Sequence, residues 1–216
     1  MSLQMRVYVP EHPLIKHWLA VARDANTPSV MFKSAMTELG RWLTYEATRN
    51  WLPTFEATVK TPLAECEAIL VNPEIPVAII PILRAGLVLL DGVHNILPIA
   101  SIYHLGLARD EKTLQPFCYL NKLPAQFDPQ TRVLILEPML ATGGSIMMTI
   151  EEVVSRGANP DLIRIVSVIA SPPALKKLSE NYSSLQIYTA IIDEGINSRG
   201  FIVPGLGDAG DRSFGT

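Results

Sequence analysis

The chain has 216 residues, 48% of them hydrophobic, and a formal net charge of −3, so it can bury one sizeable core but offers no basic surface for nucleic acid. No apolar run approaches a membrane span, and the first ten residues hold no signal-peptide core. Cys66 and Cys118 lack metal-ligand spacing and read as free, partly buried thiols, so a soluble protein of a reducing, cytoplasmic compartment is expected.

In chain order, His12–Pro13 opens a helix with Leu14, Ile15, Trp18, Leu19 and Ala22 at helical spacing, ending near Asp24–Asn26. A longer helix follows, with Met31, Phe32, Ala35, Met36, Leu39, Trp42 and Leu43 on one face and Gly40 weakening its middle. Two amphipathic helices ahead of any central strand read as a cover or an interaction surface. Trp42 and Trp51 belong either to core packing or to a contact between copies. Residues 54–60 alternate as a half-buried strand does, and residues 65–71 read as a short helix.

Residues 76–83 are almost wholly apolar and form a candidate central strand, ending in Arg84–Ala85–Gly86 before a helical stretch over 87–96. A lone arginine is commonly a surface residue. At the C-terminal end of a buried strand its guanidinium is also a bidentate partner for diphosphate oxygens. Strands are expected over Ile99–Leu107 and Leu114–Leu120, and the charged loop between them is either a solvated turn or a flap carrying Arg109 over a ligand.

The stretch from Arg132 to Ser145 organises the chain. Four apolar residues form a strand buried on both faces, Glu137 closes it, and Pro138 ends the ladder. Thr142, Gly143, Gly144 and Ser145 then lead into a helical pattern at Ile146, Met147, Ile150, Val153 and Val154. Such a turn is either a tight strand-to-helix connection with a serine cap or a cradle of N–H groups for an anion. It is neither a P-loop nor a dinucleotide fingerprint. A carboxylate upstream of an anion cradle suits a ligand with hydroxyls at one end and phosphate at the other. A strand over 162–170, a Pro172–Pro173 helix to about Tyr182 and a strand over 185–191 complete an alternation that predicts an α/β fold with a mainly parallel sheet.

The tail from Gly200 to Thr216 is a poor helix and a poor strand by composition, yet Phe201, Ile202, Val203, Leu206 and Phe214 give it anchoring apolar surface. Its glycines let backbone groups approach a flat ligand, so a planar base could be read by main-chain atoms alone. No repeat or second domain is visible, and residues 1–216 are expected to form a single domain.

Glu137-Pro-Met-Leu-Ala-Thr-Gly-Gly-Ser145 resembles the phosphoribosyl-diphosphate loop of type I phosphoribosyltransferases, in the form used by uracil phosphoribosyltransferases. The resemblance runs from His12–Pro13 to Thr216 and is most specific over Pro138–Ser145 and Ile202–Gly210. It implies a mainly parallel central sheet flanked by helices, a small hood over the base, and an N-terminal helical segment. It implies transfer of a phosphoribosyl group from 5-phospho-α-D-ribose 1-diphosphate to uracil, giving UMP and diphosphate, with Mg²⁺ carried mainly by the donor rather than by a protein metal site.

By the same resemblance Arg84, Arg109 and Asp208 form the catalytic set. The donor would be held by Arg84, Arg109, Asp208 and the run Glu137, Pro138, Met139, Leu140, Ala141, Thr142, Gly143, Gly144 and Ser145. Uracil would be held by Ile202, Gly207, Asp208 and Ala209. The partners implied are these two small molecules and further copies of the chain in a homo-oligomer, with neither nucleic acid nor membrane. Two departures stand out: the family has Asp at Glu137 and usually Tyr at Ala108. They leave room for an alternative, a catalytically weak regulatory binder of phosphoribosyl diphosphate or nucleotides. The longer Glu137 side chain must either fold back or push the ribose outward, and a modestly raised Michaelis constant for the donor is expected.

Overall fold

The computed structural model describes residues 4–109 and 116–216. The chain runs β1 (Arg6–Tyr8), α1 (Pro13–Arg23), α2 (Ser29–Thr48), β2 (Thr54–Lys60), β3 (Glu65–Val71), β4 (Val77–Leu83), α3 (Leu87–Ile96), β5 (Ser101–Ile102), β6 (Leu105–Arg109) and β7 (Pro116–Asn121). It continues with β8 (Arg132–Leu136), β9 (Met139–Leu140), α4 (Gly144–Ser155), β10 (Ile163–Ala170), α5 (Pro172–Asn181), β11 (Gln186–Ile192), β12 (Gly195–Ile196), β13 (Ile202–Val203) and α6 (Ala209–Phe214).

The main sheet has the order β1-β11-β10-β8-β4-β6-β7, with β5 on β4 and β9 on β10. Every pairing in it is parallel except β6 with β7. The central strands β4, β8 and β10 are buried along nearly their whole length, as a sheet covered on both faces requires. Alternate residues of β8 feed two cores. Leu134 and Leu136 meet α1, α2, α3 and α6 on one face, and Val133 and Ile135 meet α4 and α5 on the other.

The N-terminal helices thus cover the sheet. Trp51 is core, its Nε1 donating to the Leu162 carbonyl at 3.2 Å, and Trp42 is partly buried against the same cluster. Gly40 and Gly92 make close packing of α2 on α3 possible: a Cβ on Gly92 would lie 2.0 Å from the Thr37 carbonyl oxygen.

Four expectations are corrected. Residues 65–71 form a strand, not a helix, because each of them pairs across with a residue of β2, from Lys60 opposite Glu65 to Thr54 opposite Val71. That hairpin is largely exposed rather than half-buried, since it forms its own two-stranded sheet outside the main one. The strand expected over 99–107 is broken into β5 and β6 at Tyr103–His104. Both cysteines are free but exposed, because they lie on β3 and β7 rather than on core strands. The edge strand β1 has no counterpart in the sequence reading. No helix among the described residues is long and apolar enough to cross a membrane.

Candidate active site

Strand order reverses between β4 and β8. From β4 the chain moves outward to β6 and β7, and from β8 it moves the other way to β10 and β11, where the N-terminal β1 adds the edge. Ligands of open α/β sheets bind at such a switch point, beyond the C-terminal strand ends. Arg84 follows β4 and Glu137 follows β8, and the two strands are in register to Pro81 opposite Leu136. Gly86 lets the two turns close together, since a Cβ there would come 2.6 Å from the Leu136 carbonyl oxygen. The fold thus sets Arg84 and the start of the 137–145 loop at the C-terminal ends of neighbouring strands.

The 137–145 loop is pinned along β10. Glu137 N–H donates to Val166 O at 3.1 Å, Val168 N–H to Pro138 O at 2.9 Å, and Ser171 N–H to Leu140 O at 3.0 Å. Ser171 Oγ adds a bond to Ala141 O at 2.5 Å and caps α5. With these carbonyls turned into the sheet, the N–H groups of Gly143, Gly144 and Ser145 find no acceptor among the described residues. Gly143 holds a positive φ of 76° as the N-cap of α4, so the loop presents a helix N-terminus and free amides to an anion. A cavity of about 550 Å³ opens there, lined by Thr142, Gly144, Ser145, Pro116, Lys177 and Arg199. Lys177 and Arg199 were not singled out by sequence, because α5 and the β12–β13 turn reach the loop only through the tertiary fold.

The β12–β13 hairpin links this cavity to the tail. Asn197 and Gly200 line the cavity, and Ile196 pairs with Ile202. Ile202 is buried in the core, so only its main chain can meet a ligand, whereas Gly207 and Asp208 are exposed. Ala209 is buried as the first residue of α6. The tail is therefore anchored, as expected, but it does form a helix. Asp208 caps α6 by accepting from Asp211 N–H at 3.0 Å, which offsets the cost of the glycines. The short helix α6 also reaches the switch point. Arg84 Nη2 meets Asp211 Oδ1 at 3.0 Å, a partially exposed pair of residues 127 apart that no local pattern could reveal. Arg109 closes β6 beside β4, and the hairpin expected there is formed by β6 and β7; the Arg109 side chain and the flap tip over 110–115 lie outside the described residues.

Glu137, at the C-terminal end of β8, carries a partly buried carboxyl. Its Oε2 is buried and has no hydrogen-bond partner among the described residues, and burial pushes its pKa up to about 8. A buried, unpartnered carboxyl oxygen at a ligand crevice is a polar group awaiting its complement. Among the described residues no three metal-ligating side chains cluster. The acidic residues at the strand end and in the tail, Glu137, Asp208 and Asp211, form no such cluster, which suits Mg²⁺ that brings its own phosphate and hydroxyl oxygens.

Comparison with known proteins agrees with this geometry. The uracil phosphoribosyltransferase family model matches residues 9–216. A uracil phosphoribosyltransferase of a Nostoc strain is 69% identical over 216 residues, all of both chains. A solved protein of Aquifex aeolicus is 36% identical with a TM-score of 0.88, covering 96% of this chain and 97% of that one. An adenine phosphoribosyltransferase of Trypanosoma brucei, 14% identical with a TM-score of 0.55 over 87% of this chain and 84% of its own, shares the fold. A type I phosphoribosyltransferase fold and family similarity along nearly the whole length make this chain a member of the uracil phosphoribosyltransferase family.

Proposed function

We propose that this chain transfers the 5-phosphoribosyl group of 5-phospho-α-D-ribose 1-diphosphate to uracil, releasing UMP and diphosphate. The observation that carries the reading is the convergence, at the β4–β8 switch point, of Arg84, the anion loop and the α6 end of the tail. In the reaction the bond from C1′ to the diphosphate oxygen breaks, the diphosphate leaves with the electron pair, N1 of uracil bonds to C1′, and the N1 proton is lost. Positioning and charge stabilisation are the protein's tasks.

Thr142–Ser145 hold the 5′-phosphate, Glu137 takes the ribose hydroxyls, and Arg84 with Arg109 stabilises the leaving diphosphate. The main chain of Ile202 and Gly207–Ala209 reads the base. Mg²⁺ bound to the donor supplies further positive charge against the departing diphosphate. Donor oxygens would hold that ion, with Asp208, whose Oδ1 takes the α6 cap, as the nearby carboxylate. The reading takes residues 1–216 as one domain working in the cytoplasm, and as a homo-oligomer. The β2–β3 hairpin supports the last point: Phe55, Leu70, Val71 and Ile69 (73% exposed) are left on a two-stranded sheet too small to be stable unaided. Incubation with labelled uracil, donor and Mg²⁺ should yield labelled UMP and stoichiometric diphosphate. Donor hydrolysis to ribose 5-phosphate without UMP would refute the assignment.

A further inference from the structure

Two successive residues of the tail, Gly205 and Leu206, are each held by a charged side chain, and both attachments lead to the same turn of α1. Asp193, 5% exposed at the end of β11, accepts the Gly205 N–H on Oδ2 at 2.8 Å and Arg23 Nη2 on Oδ1 at 2.5 Å. Arg212 of α6 donates through Nη1 to Leu206 O at 2.7 Å and to Ala22 O at 2.5 Å, and through Nη2 to Asp24 O at 2.7 Å. Its guanidinium carbon stacks 4.1 Å from the Phe32 ring centroid, which fixes the fork against α2.

Ala22, Arg23 and Asp24 are consecutive residues at the C-terminal end of α1. Carbonyls there lack intrahelical partners and carry the negative end of the helix dipole, so an arginine fork is their natural complement. The anchor itself is rigid, because Ile15, Leu19 and Ala22 bury α1 in the core. Gly205 leaves little slack, since its φ is +60° and a Cβ would come 2.2 Å from the Ile202 carbonyl oxygen. The residues left exposed just beyond the two attachments are Gly207 and Asp208.

We infer that the C-terminal turn of α1 is the anchor of the acceptor loop, and that Arg212 and the Arg23–Asp193 pair are positioning residues for uracil. The inference rests on the reading of 202–209 as the base site. Main-chain recognition has no side-chain rotamer to absorb an error, so a small displacement of this backbone must be felt in acceptor binding. Donor binding depends chiefly on a different loop, pinned to β10, with Asp208 the tail's one contribution, and should respond to these clamps far less than acceptor binding does.

The test compares Arg212→Met, which keeps an apolar stem over Phe32, with Arg212→Lys, Asp193→Asn and a reference variant, Gly207→Ala. The uracil KM and the Kd of the donor by titration are measured for each variant, beside a thermal melt. Arg212→Met should raise the uracil KM on the order of tenfold with donor Kd within about twofold of the parent, and Arg212→Lys should recover part of the loss. Asp193→Asn should shift the same constant in the same direction. If Arg212→Met fails to give a cooperative melt, Arg212→Lys decides by the same split. A raised uracil KM in Gly207→Ala but parental values in the folded clamp variants would overturn the anchor. Equal shifts in uracil KM and donor Kd would also overturn it, by marking a merely structural role. An unchanged uracil KM in Gly207→Ala would instead overturn the placement of the base site.

Discussion

Burial of Glu137 predicts a proton linked to donor binding. Its carboxyl, with Oε2 buried and unpartnered, is held up to about 8 from an ordinary 4.5 by desolvation. At pH 7 only about a tenth of it is ionised in the free protein, so a ligand that needs the carboxylate forgoes about 1.4 kcal/mol there relative to pH well above 8. Donor affinity should therefore rise with pH, at most about tenfold per unit, and level off above about 8. The sign for stability is opposite. Between 4.5 and about 8 the native state keeps a proton that the unfolded chain has lost, so stability falls as pH rises, by at most about 1.4 kcal/mol per unit.

The assay is donor titration calorimetry across this range in buffers of differing ionisation enthalpy, with urea unfolding alongside. Glu137→Gln removes both dependences and binds the donor less well than the parent at high pH. The donor's own phosphate titration is common to both proteins and cancels in the comparison. Glu137→Asp, a methylene shorter, should bury its carboxyl less deeply, so its carboxylate should ionise lower and donor binding at pH 7 should improve by about 1 kcal/mol. A parent whose donor affinity parallels that of Glu137→Gln at every pH would refute the reasoning.

Further expectations concern the neighbouring residues. Arg84→Ala should cost about 2–4 kcal/mol in transition-state stabilisation, read as a loss of kcat/KM for the donor in steady-state kinetics. Asp211→Asn should free Arg84 from its partner and lower the donor KM by less than about 1 kcal/mol equivalent, because the pair is half-exposed and weak, with a melt close to that of the parent. Gly143→Ala should weaken UMP binding and cost about 1–2 kcal/mol of stability in urea unfolding, since the αL conformation penalises a Cβ and the new atom would meet Ala174 Cα at 3.3 Å.

The centre of the fold was legible because it is written in local pattern. The runs at 77–83 and 133–136 are continuously apolar, and the turns after them carry Arg84 and Thr142–Ser145 in plain order. What escaped is set by pairing and packing partners outside the segment itself. Residues 65–71 have no helical stripe, and only pairing with β2 makes them a strand. The edge strand β1 has three residues and takes its register from β11, almost the whole chain away. The glycines of the tail argue against a helix until Asp208 caps α6 and Arg212 ties it to α1. The burial of Glu137 was open at the level of sequence, because whether an extra methylene projects or folds back depends on the room around it.

The central claim is that a clamped main chain at Ile202 and Gly207–Ala209 reads uracil beside a donor held at the β4–β8 crevice. Its most direct test is the ratio of kcat/KM for uracil and cytosine in UMP- and CMP-forming assays at saturating donor. Cytosine presents an amino donor where uracil presents a carbonyl acceptor, and an acceptor nitrogen where uracil presents N–H, so main-chain partners fixed for one are left unpaired by the other. The account predicts discrimination of roughly 10²-fold or more in favour of uracil. Comparable values for the two bases would contradict it.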